Sequence, residues 1–555
     1  MNSPVLDPMK ITGKIVLCDR GTNARVSKSL AVSRAGGVGM VLVNVNVNTL
    51  NADFHFVPTV HVQVTDRAAL IAYSMTASPT ATINQSMITF VTPAPFTASF
   101  SSRGPLIAGA GNLLKPDVIA PGQDILASVA PPGNNGLDFN IYSGTSMSAP
   151  HVAGVATLLK QLHPDWSPMM VKSALMTSAS DVLDGPNTNP SVIFSQGAGH
   201  IRPNSAADPG LVYNSNSNDW LAFLCGTTTG VNPGVCAALA GAGYSFDPSN
   251  FNAPSIAIGA LPGIQTVTRK VTNVGSSPAT YTASSTGLIG ITVAISPSSL
   301  SLNPGETKSY TVEFTRTTAT IGTYVGGQLT WTDGTHNVRI PMVIRPVALA
   351  APTQVSGTGG AINYAIKFGY TGPFSATARG LIPATTSVGI VMQDPGQSFS
   401  PGGPGTTSFD VVVPAGTTYA RFSTFNEFID GADDIDVYVF QCPCAPGTLV
   451  GSSTGPTAAE EVNLVNPTAA TYRVWIHGFA LNPSPANFTL FTWVLGSTDA
   501  GNMAVTAPSS ATTGTSGNIN LVFSSLSAAT KYLGSVAYSG SPGLPNPTIV
   551  RVDTP

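Results

Sequence analysis

The sequence is poor in charged residues, and basic residues in particular form no long run. Of 555 residues, 24 are lysine or arginine and 27 are aspartate or glutamate, so the formal net charge is −3. Proteins that bind nucleic acid present basic patches to the phosphates, and this sequence has no long basic run and no basic residues interleaved with aromatics. The charge pattern therefore argues against nucleic acid as a partner.

Long apolar runs are also absent. No stretch reaches the length of about 18 apolar residues that a membrane-spanning helix needs, so we expect no membrane span. The first residues, MNSPVLDPMK, have neither the basic region nor the apolar region of a signal peptide.

Cysteine is scarce, with five in the chain. Cys225 and Cys236 could close a small loop. Cys442 and Cys444 are so close in sequence that a bridge between them would be strained.

Glycine and proline, by contrast, are abundant, with 56 and 45 residues. Together with the low charge and many serines and threonines, this composition is typical of secreted β-rich modules joined by polar turns. The length allows three or more domains. We therefore expect an extracellular, multidomain protein.

The segment YSGTSMSAPHVAG, residues 142–154, places Ser146 at the predicted start of a helix. Gly144 permits a tight turn before it, and apolar residues recur at spacings of three and four from Val152 onward. Pro150 fits such a helix only in or near the first turn, because it has no N–H to donate. A helix N-terminus stabilises a developing oxyanion beside an attacking oxygen, so we predict that Ser146 is a nucleophile.

His151 is a tempting general base for this serine. It lies five residues further along the same helix, however, and at about 100° per residue it points away from Ser146. We interpret His151 as a packed, hydrogen-bonded helix residue.

The sequence GTSMSAPHVAG resembles the serine block of the subtilisin-like serine proteases, in which the serine after GT is the nucleophile. Three flanking segments are similar to those that surround this block in the family: FSSRGP at 100–105, KPDVIAPG at 115–122 and WSPMMVKSALMTSA at 166–179. The resemblance implies an α/β subtilisin-like fold for residues 93–210. It also implies an endopeptidase that cleaves extracellular proteins or peptides through an acyl-enzyme on Ser146, with no cofactor required for catalysis.

The other two catalytic residues of that family, an aspartate and a histidine, precede the serine in chain order. Upstream of Ser146 no aspartate stands in the family's Asp-Ser/Thr-Gly context, and neither His55 nor His61 stands in a His-Gly-Thr-His block. A serine without a positioned base is a weak nucleophile, so we expect negligible peptidase activity from this chain alone. It resembles the carboxyl part of a longer protease, and a separately made amino-terminal half could be its partner. The alternative is a non-catalytic secreted binding or adhesion protein that uses its accessory domains.

Residues 1–92 alternate short apolar runs with a helix-like stretch that Gly36 and Gly37 should end. The runs GKIVLCDRG and AGGVGMVLVN resemble the protease-associated domain, a small α/β domain that plant-type subtilases carry between the histidine and serine blocks. In that family the domain shapes substrate access or association. We interpret Asp53, His55 and His61 as solvated or hydrogen-bonded loop and strand residues rather than as a metal site.

Residues 211–262 are expected to connect the catalytic segment to β-rich domains. Residues 263–347 alternate strictly, which predicts an antiparallel sandwich with Tyr310 and Trp331 in its core. The runs TRKVTNVG and SPSSLSLNPGE resemble the fibronectin-type-III-like domain that follows the catalytic core in such proteases.

Residues 350–497 are again β-rich, and FNEFIDGADDIDVYVF with TYRVWIHGF resembles the pre-peptidase carboxyl-terminal domain of secreted bacterial proteases. Residues 500–555 are predicted to form one more small β module. Five acidic residues crowd one loop of the 350–497 region, and such hard oxygen ligands suit Ca²⁺, although a solvated acidic turn would look the same. The predicted calcium ligands are Glu427, Asp430, Asp433, Asp434 and Asp436.

Overall fold

The computed structural model describes residues 5–87, 93–134, 136–227, 230–431, 433–443, 447–482 and 484–555. The chain forms two compact units. The first consists of Met1–Ala260 and Thr266–Arg345, and the second of Leu261–Gln265 and Pro346–Pro555.

The first module of unit one is a parallel three-stranded sheet with helices, as the sequence predicted. Its strands pair in the order β1-β2-β3 around a small core that includes Val32, Met40 and Leu42. The second helix ends where Gly36 takes a left-handed φ of 79°, a conformation that a side chain would disfavour. The elements are α1 (Pro8–Ile11), β1 (Ile15–Asp19), α2 (Arg25–Arg34), β2 (Gly39–Val43), β3 (Thr59–Val62) and α3 (Val64–Ser74).

The segment around the predicted nucleophile consists of a short hairpin followed by helices. Cys225 and Cys236 form a disulfide between the last two helices, as the sequence had allowed. The elements are β4 (Ile125–Ser128), β5 (Phe139–Tyr142), α4 (Thr145–Leu162), α5 (Pro168–Thr177), α6 (Pro190–Gln196), α7 (Pro203–Ala206), α8 (Ser217–Thr227) and α9 (Pro233–Gly241).

Pro150 does not lie in or near the first turn of its helix, contrary to expectation. Helix α4 begins at Thr145, so Pro150 is its sixth residue and lies in the second turn. Residue 150 is four positions after Ser146 and has no N–H to donate to the Ser146 carbonyl. The turn that carries Ser146 therefore lacks one helical hydrogen bond.

An antiparallel sandwich completes unit one, and its two sheets follow the orders β10-β12-β8-β6 and β11-β9-β13-β14-β7. Trp331 and Tyr310 are buried in its core with ring centroids 5.0 Å apart, which confirms their predicted location. Two of the strands come from residues before 263. The elements are β6 (Leu211–Val212), β7 (Ile256–Leu261), β8 (Ile264–Asn273), β9 (Ala279–Gly287), β10 (Ile291–Ser296), β11 (Ser299–Leu302), β12 (Thr307–Arg316), β13 (Val325–Thr332) and β14 (Asn337–Pro346).

Unit two contains two further pairs of sheets. One pair has the orders β15-β17-β30-β28 and β16-β32-β31-β19, with a small ribbon β18-β29, and the other has β20-β27-β22-β25 and β21-β26-β23-β24. The strands of the first half are β15 (Leu349–Ala350), β16 (Gln354–Gly357), β17 (Ile362–Phe368), β18 (Gly372–Pro373), β19 (Ser375–Pro383), β20 (Thr385–Val391), β21 (Thr406–Val413), β22 (Tyr419–Ser423) and β23 (Asp434–Gln441). Those of the second half are β24 (Thr448–Ser453), β25 (Glu461–Val465), β26 (Ala470–Ala480), β27 (Ala486–Leu495), β28 (Met503–Thr506), β29 (Ser510–Ala511), β30 (Ser516–Phe523), β31 (Lys531–Ser539) and β32 (Thr548–Asp553).

Strand pairing divides unit two differently from the predicted boundaries at 350–497 and 500–555. Strands β15 to β19 pair with strands β28 to β32, for example Ile362 with Leu521 and Gln354 with Ile549. Strands β20 to β27 form the intervening pair of sheets. Alternating sequence patterns predict strands but not their partners, so this return of the chain could not be predicted from periodicity.

In the described parts of the chain, no helix combines the length and the apolar character that crossing a bilayer would require.

Candidate active site

Ser146 is the second residue of α4, and it is exposed to solvent. Gly144 precedes the helix in an extended conformation, with φ 166° and ψ 165°, so the entry to the helix involves no left-handed residue. The N–H groups of a first helical turn have no partners within the helix and present a positive dipole end. The serine oxygen is therefore accessible where a negative charge can be stabilised.

The turn before α4 is fixed by contacts with residues 120–122. The Gly144 N–H donates to the Gly122 carbonyl at 2.8 Å, and the Ser148 hydroxyl donates to the Ala120 carbonyl at 2.9 Å. A Cβ at position 122 would collide with the Ser148 hydroxyl and lie 2.9 Å from the Gly144 carbonyl, so only glycine fits there. The segment KPDVIAPG thus supports the start of the serine helix.

A cavity of about 440 Å³ lies against the first two turns of α4. Thr145, Ser148 and Val152 line it from the helix, and residues 94–98, 100–101 and 118–123 line it from the other sides. Its wall is mostly apolar, which is typical of a pocket that takes up part of a ligand.

Asp124 connects the first module to the serine segment. Its Oδ1 accepts hydrogen bonds from the Ala52 N–H at 2.8 Å and from the Ser143 hydroxyl at 3.0 Å, while its own N–H donates to Ser143 at 2.7 Å. Ser143 is three residues before Ser146. The side chains of Asp124 and Ser143 therefore connect the loop around residue 52 to the start of the serine helix.

No histidine is hydrogen-bonded to the Ser146 hydroxyl, although all seven histidines of the chain are among the described residues. The His151 Nδ1 is 2.8 Å from the Met147 carbonyl, which confirms the expected hydrogen bond. The ring is exposed rather than packed, because the surface of α4 around it is uncovered. The other histidines contact different groups: His55 and His61 each other, His163 the Ala207 carbonyl, His200 the Ile201 carbonyl, His336 Asp333, and His477 Asp394 and Asp436.

The five acidic residues proposed as calcium ligands are close in sequence, but most of them have protein partners. Asp430 accepts from the Asn487 side chain at 2.7 Å, Glu427 pairs with Lys531 at 3.0 Å, and Asp436 lies 3.1 Å from His477 Nδ1. Among the described residues, no three of the five bring ligand oxygens within 4.8 Å of one another.

Two oxygens in this acidic loop nevertheless have no hydrogen-bond partner. Asp433 Oδ2 and Asp434 Oδ1 are both buried without one. Burial, together with the neighbouring Asp436 carboxylate, raises the pKa of Asp434. An unpaired buried carboxylate oxygen is costly, so this part of the loop favours the approach of a cation.

Asp53, His55 and His61 form a second cluster, and all three are hydrogen-bonded, as the sequence predicted. The two Nε2 atoms lie 2.8 Å apart, and Asp53 Oδ2 lies 3.8 Å and 3.9 Å from them. Burial and the neighbouring imidazole of His61 lower the pKa of His55 to about 4. The signal available in the sequence was the pattern Asp-Phe-His followed by a histidine in the next strand.

Three family models match parts of the chain. The subtilase family matches residues 60–199, the PA domain matches residues 3–70, and the fibronectin type-III domain matches residues 250–344.

Curated relatives agree with these matches. Subtilisin-like protease SBT5.4 of Arabidopsis thaliana is 42% identical over 372 residues, which cover 61% of this chain and 46% of that protein. Subtilisin-like protease SBT5.3 of the same plant is 41% identical over 61% of this chain and 47% of that protein. The chain thus spans about half the length of the curated relatives it matches. Among solved structures, tripeptidyl peptidase 2 covers 71% of this chain and 32% of its own, with 13% identity and a TM-score of 0.23, too low to support an argument.

Proposed function

We propose that the chain is a member of the subtilase family and that Ser146 is the nucleophile of a serine endopeptidase, because the subtilase model matches residues 60–199 and PA and fibronectin type-III models match residues beside them. The observation that supports this most is an exposed serine hydroxyl at the N-terminus of α4, inside the segment that matches the family. The proposed substrates are extracellular proteins or peptides.

In this proposal, the Ser146 oxygen attacks the carbonyl carbon of a peptide bond. A histidine takes the hydroxyl proton and then delivers it to the leaving amine as the carbon–nitrogen bond breaks, and an aspartate keeps that imidazole in the required tautomer. The acyl-enzyme on Ser146 is then hydrolysed by water. The Ser146 N–H at the helix start would donate to the oxyanion.

We propose further that the histidine and the aspartate come from outside these 555 residues. All seven histidines of the chain are engaged elsewhere, and none is hydrogen-bonded to Ser146. A hydroxyl without a base is a poor nucleophile, so the chain alone should show negligible peptidase activity. A polypeptide that contains the two missing residues would be its partner.

A chimaera with a relative tests the nucleophile. The part of SBT5.4 that this chain does not match would be joined ahead of Met1, and labelling by a fluorophosphonate probe would be measured. We expect labelling of the chimaera, none after Ser146→Ala, and unchanged labelling after Ser178→Ala, which removes a helix-end hydroxyl bonded to the Ala174 carbonyl. Labelling that survives Ser146→Ala would place the nucleophile elsewhere.

A second candidate function is a non-catalytic binding or adhesion protein. It is favoured by the same observation, that none of the seven histidines is hydrogen-bonded to Ser146. In this case the PA domain, the fibronectin domain and the β-rich unit two would bind another protein, and the serine segment would have only a structural role. The gene region immediately upstream of Met1 discriminates between the two. An adjoining reading frame with the aspartate and histidine blocks supports the protease, and its absence supports the binding protein.

Calcium at Glu427, Asp430, Asp433, Asp434 and Asp436 remains our proposal for the acidic loop. It is supported by the two unpaired carboxylate oxygens, Asp433 Oδ2 and Asp434 Oδ1. We expect calorimetry of the whole chain with CaCl₂ to show saturable binding that Asp434→Asn weakens. Asp410→Asn, which removes an exposed partner of Arg473, should bind calcium as before. Absence of heat and of any thermal shift would reject the site.

We also propose an extracellular location. The Cys225–Cys236 disulfide and the disulfide-bonded state of Cys442 support it, because such bonds persist in oxidising compartments. Cys444 lies outside the described residues. Alkylation of the protein taken from its source, without reductant, should leave these bonded cysteines unmodified, and their modification would contradict this location.

A further inference from the structure

Asp53, His55 and His61 lie together at one edge of the first module, and this cluster takes no part in the proposed peptidase chemistry. We propose that they bind a divalent transition-metal ion and that Zn²⁺ fits the donor set best. Two imidazole nitrogens and one carboxylate oxygen are ligands that zinc accepts. The proposal does not depend on the role of Ser146.

The spacing of the three ligand atoms suits such an ion. A point equidistant from atoms that are 2.8, 3.8 and 3.9 Å apart lies about 2.1 Å from each, which matches a zinc–nitrogen bond of about 2.0–2.1 Å. The two Nε2 atoms are now 2.8 Å apart, and a rotation of each ring would turn its own lone pair toward that point. The three side chains are 8–13% exposed, so the position is partly shielded from water.

The hydrogen bonds around the two rings also favour metal binding. The Ser29 hydroxyl donates to the Val26 carbonyl at 2.8 Å, which leaves its oxygen to accept from the His55 Nδ1–H at 2.9 Å. The backbone of Asn51 faces the His61 ring as an acceptor. Metal-bound histidines usually donate their second N–H in this manner. If both outer nitrogens carry the protons, the two Nε2 lone pairs face each other, an arrangement that a cation between them would stabilise.

A direct hydrogen bond between the two imidazoles is the competing arrangement. It requires one of two changes. Either the Ser29 hydroxyl leaves the Val26 carbonyl and donates to His55 Nδ1, so that His55 Nε2–H can donate to His61, or His61 carries its proton on Nε2 rather than Nδ1 and donates to His55. That arrangement does not use the carboxylate oxygen that lies nearly equally far, at 3.8 Å and 3.9 Å, from both Nε2 atoms. A shared metal ligand set does.

The surroundings of Asp53 complete the site. Arg25 binds both of its oxygens, through Nε to Oδ2 and through Nη2 to Oδ1 at 2.8 Å, and so fixes the carboxylate in the way that outer partners of metal ligands do. Asp53 and His55 also line a cavity of about 750 Å³ together with Phe54 and Tyr142. This opening leaves room for water or an exogenous ligand on the metal.

A bound ion would stiffen the loop between Asn51 and Phe56. The Ala52 N–H in this loop donates to Asp124, which in turn binds Ser143. Metal binding should therefore slow backbone hydrogen exchange in residues 51–56.

Equilibrium dialysis of the whole chain against ZnCl₂, after removal of bound metal with EDTA, tests the proposal. We expect one zinc per chain, a raised unfolding temperature and slower exchange in residues 51–56. His61→Gln and, separately, Asp53→Asn should weaken zinc binding at least about 100-fold, beyond the 10–100-fold effect of losing an outer partner. His336→Gln, which removes a histidine that also contacts two carboxylates, should bind zinc like the unaltered chain.

Cobalt provides a readout that does not depend on stability. Co²⁺ bound by two imidazoles and a carboxylate should give visible d–d absorption in the unaltered chain and in His336→Gln, and none in His61→Gln. Circular dichroism in EDTA would show whether the variants remain folded. If His61→Gln does not fold, Asp53→Asn, which keeps both histidines, is compared with the unaltered chain in its place. The proposal is overturned if the unaltered chain takes up no zinc, as a direct imidazole–imidazole hydrogen bond predicts, or if His61→Gln and Asp53→Asn bind it undiminished.

Discussion

Helices α4 and α5 follow one another in the chain, but the protein covers them very differently. Of the 18 residues of α4 only Leu159 is buried, whereas seven of the 10 residues of α5 are. Residues such as Ile201, Ala206 and Val212 pack against α5, while Leu158 and Leu162 of α4 remain 63% and 58% exposed. Of these two helices, the one with the more distinctive sequence is thus the less well covered.

The difference teaches that a functional motif and its structural support are separate properties. Helix α5 has its cap, its first-turn proline and its packing partners within these 555 residues. Helix α4 has the proposed nucleophile, an internal proline and two leucines, Leu158 and Leu162, that the described part of the chain leaves largely exposed. Four measurements would break or sharpen this contrast.

The largest effect should come from the core of α5. Leu175 is 4% exposed, so Leu175→Ala should leave a cavity and lower the free energy of unfolding by about 2–5 kcal/mol. Hydrogen exchange of α5 peptides in increasing urea, read by mass spectrometry, reports this region separately in a chain that need not unfold in one step. A change below about 1 kcal/mol would mean that α5 is less well covered than the structure shows.

The cap of α5 should have an intermediate effect. The Ser167 hydroxyl accepts a hydrogen bond from the Met170 N–H at 3.1 Å, and Ser167→Ala removes it at a cost of about 1 kcal/mol. The same exchange experiment measures it, and Ser167→Asp, which can still accept that bond, serves as the control. An alanine variant as stable as the unaltered chain would show that packing alone holds α5 in place.

A smaller, pH-dependent effect should come from His336, which links the β13–β14 hairpin of the sandwich to Asp208, just after α7. Burial lowers the pKa of His336, but hydrogen bonds to Asp333 and Asp208 outweigh it and leave the pKa raised. The stabilisation is therefore complete below the unfolded value of about 6.5 and is lost as the pH rises through the higher folded value. The unfolding temperature of the sandwich should fall between pH 6 and pH 8, and His336→Gln should flatten that fall. An equal slope in both proteins would contradict the assignment.

The smallest effect should come from the exposed side of α4. Leu158→Ala removes a side chain that is 63% exposed, so the free energy of unfolding should change by less than about 0.5 kcal/mol. Exchange of α4 peptides is the measurement, with Leu175→Ala as the contrasting variant. If Leu158→Ala destabilised as much as Leu175→Ala, then α4 would be covered in solution by another chain, and the contrast between the helices would disappear.

Much of the local structure could be predicted because it depends on neighbours in sequence. Ser167 and Pro168 specify the start of α5, and strict alternation specifies the strands that bury Tyr310 and Trp331. The position of Pro150 in its helix was predicted wrongly, since a proline preference for first turns is only a tendency that the surrounding fold can override.

By itself, the sequence determined the resemblance to subtilases, the location of Ser146 at a helix start and the β-rich character of the carboxyl-terminal half, because motifs, caps and alternation act over a few residues. Only the tertiary structure decided that strands after residue 500 pair with strands before 384, and that His55 and His61 meet Asp53 and Arg25. Those contacts join residues that are distant in sequence, or residues whose positions depend on the conformation of a loop. Their formation depends on which surfaces the whole chain can bury together, and no short pattern records that.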